Sequence, residues 1–426
     1  MQNFRCFEDV ELGPFDPQFN LLVGENGAGK SSVLVALANL FRDIPISFGN
    51  NVQHQQKSTI ETQIDYDDRR DARAFPRHDW QSPGVIDISS SYRWLDENGR
   101  NIITIKGEGS FELTGTARSP LKKSDFVKVS IPLLLLFPTT RKFHRSIPSS
   151  GGPEPSSQFE RGEAFQYWTR AGESIDQLLR WVRDETLVEF ENAQKRGSVL
   201  WKGDDSALGL VRRACLNAID GAKDFFYNGT AKDIIFIYID GRAIALSTMS
   251  DGQRALVGLV AEVARRAYVL NGTVLGQKCL EETPGLVLID EIDLHLHPKW
   301  QRQIVPALKK IFPKIQFFAT THSPQVIGEA KPEEIIVLTP QGQRRPSGGY
   351  GRDSNWILEC VMDAEGRDPE IALRLKEMFN LIEDEKFDEA RLAIKALRQD
   401  IGYGPDVVGA EAYLWRMEHL GEEAAE

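Results

Sequence analysis

Cysteine is scarce in this chain. It has four among 426 residues (Cys6, Cys215, Cys279 and Cys360), widely spaced and without a CxxC pair. That usage excludes a disulfide framework and a thiolate zinc site, and it leads us to expect a reducing cytoplasm. Long apolar runs are missing too. The longest candidate, Ile131–Phe137, spans seven residues and contains Pro132, so it reads as a buried strand and not as a membrane span. A mean hydropathy of −0.33 agrees. The opening Met-Gln-Asn-Phe-Arg has no basic stretch leading into an apolar one, so no signal peptide is expected. We find no internal repeat.

What is present is a hydrophobic fraction of 41% over 426 residues, enough for two or three packed units and too apolar for disorder. The net charge of −11 is unevenly spread. Residues 361–426 hold seventeen acidic and eight basic side chains, a net of −9, which leaves −2 for the other 360 residues. The acidity belongs to a tail and does not exclude a basic surface elsewhere.

Patterning suggests an opening of strand, turn, strand, glycine-rich loop and helix, with Phe19–Val23 as the strand and Ser31–Phe41 as the helix. Ser47–Gly84 is a polar, arginine-containing stretch that reads as an irregular insertion. Strand patterning returns over Ile86–Lys106 around an Asn98-Gly99 turn, and again at Ile131–Phe137. Ser146–Ser157 is a Pro/Gly/Ser loop. Helices are expected over Phe165–Arg196, with an apolar stripe of Trp168, Ile175, Leu178, Leu179, Val182 and Leu187, and over Leu208–Phe226. A hairpin follows at Ile234–Leu246, then a helix over Gly252–Leu270. Leu286–Ile289, Ile315–Ala319 and Glu334–Leu338 read as strands, with a helix at Trp300–Ile311. Gln341–Asn355 is a Gly/Arg-rich loop, and Pro369–Leu420 reads as paired amphipathic helices.

Four motifs carry chemistry. GENGAGKSS (Gly24, Glu25, Asn26, Gly27, Ala28, Gly29, Lys30, Ser31, Ser32) lies between strand and helix and fits the phosphate-binding loop, or Walker A. Its glycines let backbone N–H groups close around a β-phosphate at a helix N-terminus; Lys30 brings a point charge, and the Ser31 hydroxyl suits Mg²⁺. GLVLIDE (Gly285–Glu291) is an apolar strand ending in two carboxylates. Asp290 suits a Mg²⁺ ligand and Glu291 a base that polarises attacking water, although the same pattern also occurs at ordinary strand ends. FFATTHS places His322 just after a strand, where it can sense a γ-phosphate or simply cap a turn. LSTMSDGQR contains Ser250, Gly252 and Gln253 at the start of a long helix, which is both a capping box and an anion site.

The order of these motifs, Walker A, SxGQ signature, Walker B with its glutamate, then a histidine, resembles ABC-type ATPases. The chain resembles the ABC-class AAA proteins of the RecF/OLD/SMC-like group. The resemblance is carried by Asn3-Phe4-Arg5-Cys6-Phe7, by DEIDLHLHP (Asp290–Pro298), by TTHSP (Thr320–Pro324) and by PLLLLFPTTR (Pro132–Arg141). It is nearest to Septu-type and retron-associated anti-phage defence ATPases and covers Met1 to about Leu338. It implies an α/β P-loop fold of ABC-ATPase type, with an antiparallel β subdomain, a helical insertion and a C-terminal helical appendix. The expected boundaries are 1–140 and 246–340 for the two parts of the head, 141–245 for an insertion or lid, and 341–426 for the loop and acidic appendix.

The same resemblance implies ATP hydrolysis with Mg²⁺ and a dimer with ATP at its interface. Lys30, Asp290, Glu291 and His322 would act in cis, and Ser250 and Gly252 on the partner's nucleotide. It implies a cytoplasmic sensor or regulator working with an effector such as an HNH nuclease or retron components. Alternatives are a RecF-like repair ATPase acting directly on DNA, a transporter's nucleotide-binding subunit, and a scaffold locked by ATP. The tail contains no Toprim-like acidic pattern, so no nuclease is expected within the chain.

The chain departs from the group in three respects: the first strand looks short, Asp251 stands where transporters often carry glycine, and the Q-loop glutamine is unplaced among Gln53, Gln55 and Gln56. His295 and His297 have metal-ligand spacing, which the resemblance instead explains as a D-loop. The arginine clusters Arg69–Arg77, Arg141–Arg145 and Arg344–Arg345 suit either solvated loops or nucleic-acid phosphates. Arg141, following a buried strand, is the one expected to point into the nucleotide site.

Overall fold

A computed structural model describes residues 2–4, 7–41, 92–95, 101–106, 110–113, 130–141, 161–165, 168–172, 175–195, 206–339 and 342–419. The expected insertion at 47–84, the loop at 146–157, the three Q-loop candidates and Arg69–Arg77 lie outside these residues. The chain divides into two compact units, 1–352 and 353–426.

The first unit is built on a six-stranded sheet. Its strands are β3 (Phe19–Val23), β7 (Leu133–Phe137), β11 (Gly285–Ile289), β12 (Ile315–Thr320), β13 (Ile335–Thr339) and β14 (Gly342–Arg344). Their order is β14-β13-β3-β12-β11-β7, parallel except for the antiparallel β14. FNLLV, LLLLF and GLVLI are nearly continuous apolar runs because both faces of a parallel sheet are covered. Phe19, Phe137, Phe317 and Phe318 are fully buried; each such side chain contributes about 1.5–3 kcal/mol by leaving water.

Two smaller antiparallel sheets accompany it: β4 (Tyr92–Leu95), β5 (Asn101–Lys106) and β6 (Ser110–Leu113), and β8 (Ala222–Asn228), β9 (Asp233–Tyr238) and β10 (Ala243–Ala245). A two-stranded ribbon pairs β1 (Gln2–Phe4) with β2 (Phe7–Asp9). The parallel strands, with helices between them, and these antiparallel sheets make a mixed α/β architecture, with the Gly24–Ser32 motif running from the end of β3 into the following helix.

Helix α1 (Lys30–Phe41) follows β3. The stretch expected as one helix over 165–196 is two 3₁₀ turns, Arg161–Phe165 and Trp168–Arg170, followed by α2 (Ile175–Lys195). Leu187, assigned to its apolar stripe, is 56% exposed. Helix α3 spans only Ala207–Ala218, and Ala222–Phe226 belongs to β8. Gly221 takes a positive φ of 74°, which breaks the helix, and Phe225 instead packs on Phe236 at 5.1 Å between ring centroids. The long α4 (Asp251–Leu275) starts at the Ser250 cap. Helix α5 (Pro298–Ile311) has His297 as N-cap, Pro298 in its first turn, and a buried face of Trp300, Ile304, Val305, Leu308 and Ile311. Within the expected Gly/Arg-rich loop, Gly342–Arg344 forms the edge strand β14.

The second unit contains α6 (Pro369–Glu383), α7 (Phe387–Ile401) and α8 (Pro405–His419), three long helices where a pair was expected. Each buries residues at spacings of three and four: Leu375, Met378 and Ile382; Ala390, Ile394 and Leu397; Val407, Ala410 and Leu414. Leu373 and Leu392 are 56% and 69% exposed.

Candidate active site

The Walker A segment follows β3. Gly24, Gly27 and Gly29 have φ of 152°, 85° and 91°, in the region that disfavours residues with a Cβ. A Cβ on Gly24 would also sit 2.7 Å from the Leu338 carbonyl oxygen of β13, so sheet packing demands glycine there as well. Glu25, Asn26 and Gly27 are exposed, and Ala28, Gly29 and Ser32 are half-buried. The Ala28 N–H closes the turn on Glu25 O at 3.2 Å. The first turn of α1 carries no acidic residue, so its positive end faces no carboxylate from its own turn.

Lys30 is 8% exposed, and its Nζ donates to Gly24 O at 2.8 Å and Glu25 O at 2.9 Å. Two of its three N–H bonds thus brace the loop. Burial pushes its pKa below the ordinary lysine value, while Asp290 and Glu291 pull in the opposite direction.

Parallel pairing of β12 with both β3 and β11 places three strand ends side by side: the phosphate loop, Thr320 with His322, and Asp290 with Glu291. Ser31 Oγ donates to Asp290 Oδ1 at 3.0 Å, across 259 positions of sequence. Thr320 Oγ1 donates to the same oxygen at 2.6 Å and accepts from Glu291 N at 2.7 Å. A serine hydroxyl beside a carboxylate oxygen is an all-oxygen donor set suited to Mg²⁺, and Ser31 is exposed. Ser31 and Asp290, the two residues expected to hold the metal, therefore meet.

Glu291 is half-buried and takes φ 49°, a left-handed backbone unusual for a non-glycine residue. His322 is exposed, two residues beyond Thr320, past the C-terminal end of β12. The intervening Thr321 is buried, and its hydroxyl donates to Asp293 Oδ1. Arg141 does not point into the nucleotide site as expected. It is 5% exposed, and its guanidinium donates to the carbonyl oxygens of Pro138, Asp290 and Glu291. Burial lowers its pKa to about 10, against the pull of Asp290, Glu291 and Asp293, so it remains charged at neutral pH.

Ser250 and Gln253 form a capping box: Ser250 Oγ accepts from Gln253 N at 3.3 Å, and Gln253 Oε1 accepts from Ser250 N at 3.2 Å. Ser250 is exposed and Gly252 is buried against the D-loop backbone. Arg254 braces the turn through Ser247 O, Met249 O and the Asp251 carboxylate. Among the described residues, no hydrogen bond joins Ser250, Gly252 or Gln253 to the phosphate loop. His297, considered as a metal ligand, uses Nδ1 to accept from Lys299 N at 3.3 Å and caps α5.

Asp293 stands out in the sequence only as a possible metal ligand beside His295 and His297, and Thr320 and Thr321 only as part of TTHSP. Two hydroxyls at the end of a strand flanked by Walker A and Walker B strands are the signal that could have found them.

A family model described as "AAA domain, putative AbiEii toxin, Type IV TA system" matches residues 19–328. The chain belongs to this family. It is 40% identical to the "Retron Ec83 probable ATPase" of Escherichia coli, over 95% of this chain and 83% of that protein. It is 37% identical to the "Septu protein PtuA" of Bacillus thuringiensis over 32% of this chain and 35% of that one. Among solved structures, the SMC head domain from Thermotoga maritima covers 82% of this chain and 94% of that chain, at 15% identity and a TM-score of 0.38. The matched span contains every candidate site residue named above, from Gly24 to His322. Among the described residues, no helix is long and apolar enough to cross a membrane.

Proposed function

We propose that this AAA-family chain binds and hydrolyses ATP and acts in anti-phage defence, together with a partner effector. The observation that carries the enzymatic reading is the meeting of Ser31, Asp290 and Thr320 beside the Lys30 loop. The loop amides and Lys30 hold the β- and γ-phosphates. Ser31 and Asp290 are the residues to hold Mg²⁺, which when bound would neutralise phosphate charge. Glu291 orients and polarises the attacking water, and His322 meets the γ-phosphate.

Ser250, Gly252 and Gln253 lie at the N-terminus of α4, and in this reading they act on the nucleotide of a second subunit. The working unit in this reading is a dimer with two ATP molecules between heads, in which 1–140 and 246–340 form the head and 141–245 a lid. Loss of the γ-phosphate then loosens the dimer and turns ATP state into a conformational signal. The match to a protein named as a retron ATPase, over 95% of this chain, supports an effector partner in this reading, such as retron components or an HNH nuclease. Its expected compartment is the cytoplasm.

Phosphate release by the purified chain with Mg²⁺ and ATP tests the enzymatic reading. Turnover that Lys30→Ala and Glu291→Gln both suppress supports it; absence of turnover, alone and with its genetic neighbours, sinks it. Strong stimulation by bare DNA without any partner would favour a repair ATPase instead.

A further inference from the structure

The peptide group bearing Glu291 is held on both sides. Its N–H donates to Thr320 Oγ1 at 2.7 Å. The carbonyls of Asp290 and Glu291 each accept from a different terminal nitrogen of Arg141. The Arg141 Nη1 that reaches Asp290 O also donates to Pro138 O at 3.1 Å, and the Arg141 backbone N–H donates to the same Pro138 oxygen at 3.1 Å. The strand order makes this possible: β7 neighbours β11, with Phe137 opposite Ile289, so the residues just after β7 lie beside the turn after β11. The planar guanidinium fork matches two successive carbonyls, which a lysine ammonium does not. The turn it grips is the one in which Glu291 adopts φ 49°, a conformation that persists only where surrounding contacts impose it.

We propose that Arg141 is a positioning residue for hydrolysis, gripping the carbonyls of Asp290 and Glu291 so that the left-handed turn presents the Glu291 carboxylate to the water. It acts through Glu291 and does not touch the phosphates. This rests on the ATPase reading above. Small displacements of a catalytic group cost on the order of 10²-fold in rate, so the effect falls on kcat and not on ATP affinity.

The test uses the full chain with Mg²⁺ and compares wild type, Arg141→Gln, Arg141→Lys, Glu291→Gln and the double variant Arg141→Gln/Glu291→Gln. Equilibrium ATP affinity and kcat at saturating ATP are both measured. Arg141→Gln should keep ATP affinity within about 3-fold while kcat falls on the order of 10²-fold. Arg141→Lys, which reaches one carbonyl, should lie between. The double variant should be no slower than Glu291→Gln alone, because residues acting as a unit are not additive.

Unchanged kcat in Arg141→Gln overturns the proposal. So does ATP affinity falling in step with kcat, the signature of direct phosphate contact, or a multiplied loss in the double variant. If Arg141→Gln does not fold, the split between kcat and affinity in Arg141→Lys decides alone. A failure of the ATPase reading shows in the wild type; a failure of this proposal shows only in the Arg141 variants.

Discussion

The backbone at Gly252 approaches the D-loop so closely that a Cβ there would lie 2.8 Å from the His295 carbonyl oxygen and 3.2 Å from Leu296 Cα. The signature helix therefore starts in contact with the loop that leaves Walker B. Leu294 N–H and Leu296 N–H bond back to the Glu291 and Asp293 carbonyls at 2.8 and 3.0 Å, so this contact is continuous with the candidate base. Gly252→Ala should force the helix start off the D-loop, at a cost of about 1–3 kcal/mol from overpacking. ATP affinity should persist while turnover falls at least about 10-fold, as measured by nucleotide titration and phosphate release.

Glu291→Gln removes the candidate base and leaves the phosphate loop intact. Turnover should fall about 10²–10⁴-fold with ATP still bound. The ATP-bound form should accumulate as a dimer in light scattering. Rapid hydrolysis by this variant would remove Glu291 from its assigned role.

Lys30→Ala deletes both the charge and the two bonds that brace Gly24 and Glu25. Nucleotide binding by calorimetry should be lost. Undiminished affinity would count against the phosphate-loop assignment.

Thr320→Val keeps the shape of a buried side chain and removes the hydroxyl between Asp290 Oδ1 and Glu291 N. The stranded polar groups should cost about 1–3 kcal/mol in thermal denaturation. The Mg²⁺ concentration for half-maximal turnover should rise, since Asp290 loses the donor that orients it. An unaltered Mg²⁺ dependence would show Thr320 to be packing alone.

Glu262 of α4 is 8% exposed and bonds Arg265 and Arg266, and Arg266 also donates to Ala164 O at 2.8 Å. Burial by itself would raise its pKa; the two guanidinium groups outweigh that and hold it at about 2, below the ordinary 4.5. A depressed folded-state pKa contributes stability that is fully present above about pH 4.5 and is lost as pH falls toward 2. Glu262→Gln should flatten stability over that acid window in denaturant titrations. At neutral pH it should destabilise by up to about 3–5 kcal/mol, because buried Arg266 and half-buried Arg265 lose their carboxylate. An acid profile equal to that of wild type would exclude the pair as its source.

The sequence by itself determined the local elements and the chemical identities. Unbroken apolar runs such as LLLLF and GLVLI specify doubly buried strands, and the glycine spacing of Gly24–Ser32 specifies the loop, because both depend on neighbouring residues. The helix limit at Ala218 was missed because the decisive residue, Gly221, lies among helix-compatible neighbours and its partner Phe236 comes from another strand. Only the tertiary structure decided that Thr320 joins Ser31 and Asp290 in one cluster, since strand order brings 320 beside them and no local pattern encodes it. The same reason assigns Arg141 to a backbone turn about 150 residues away. Which groups a buried guanidinium meets depends on the strand beside it, and that neighbour is a property of the sheet.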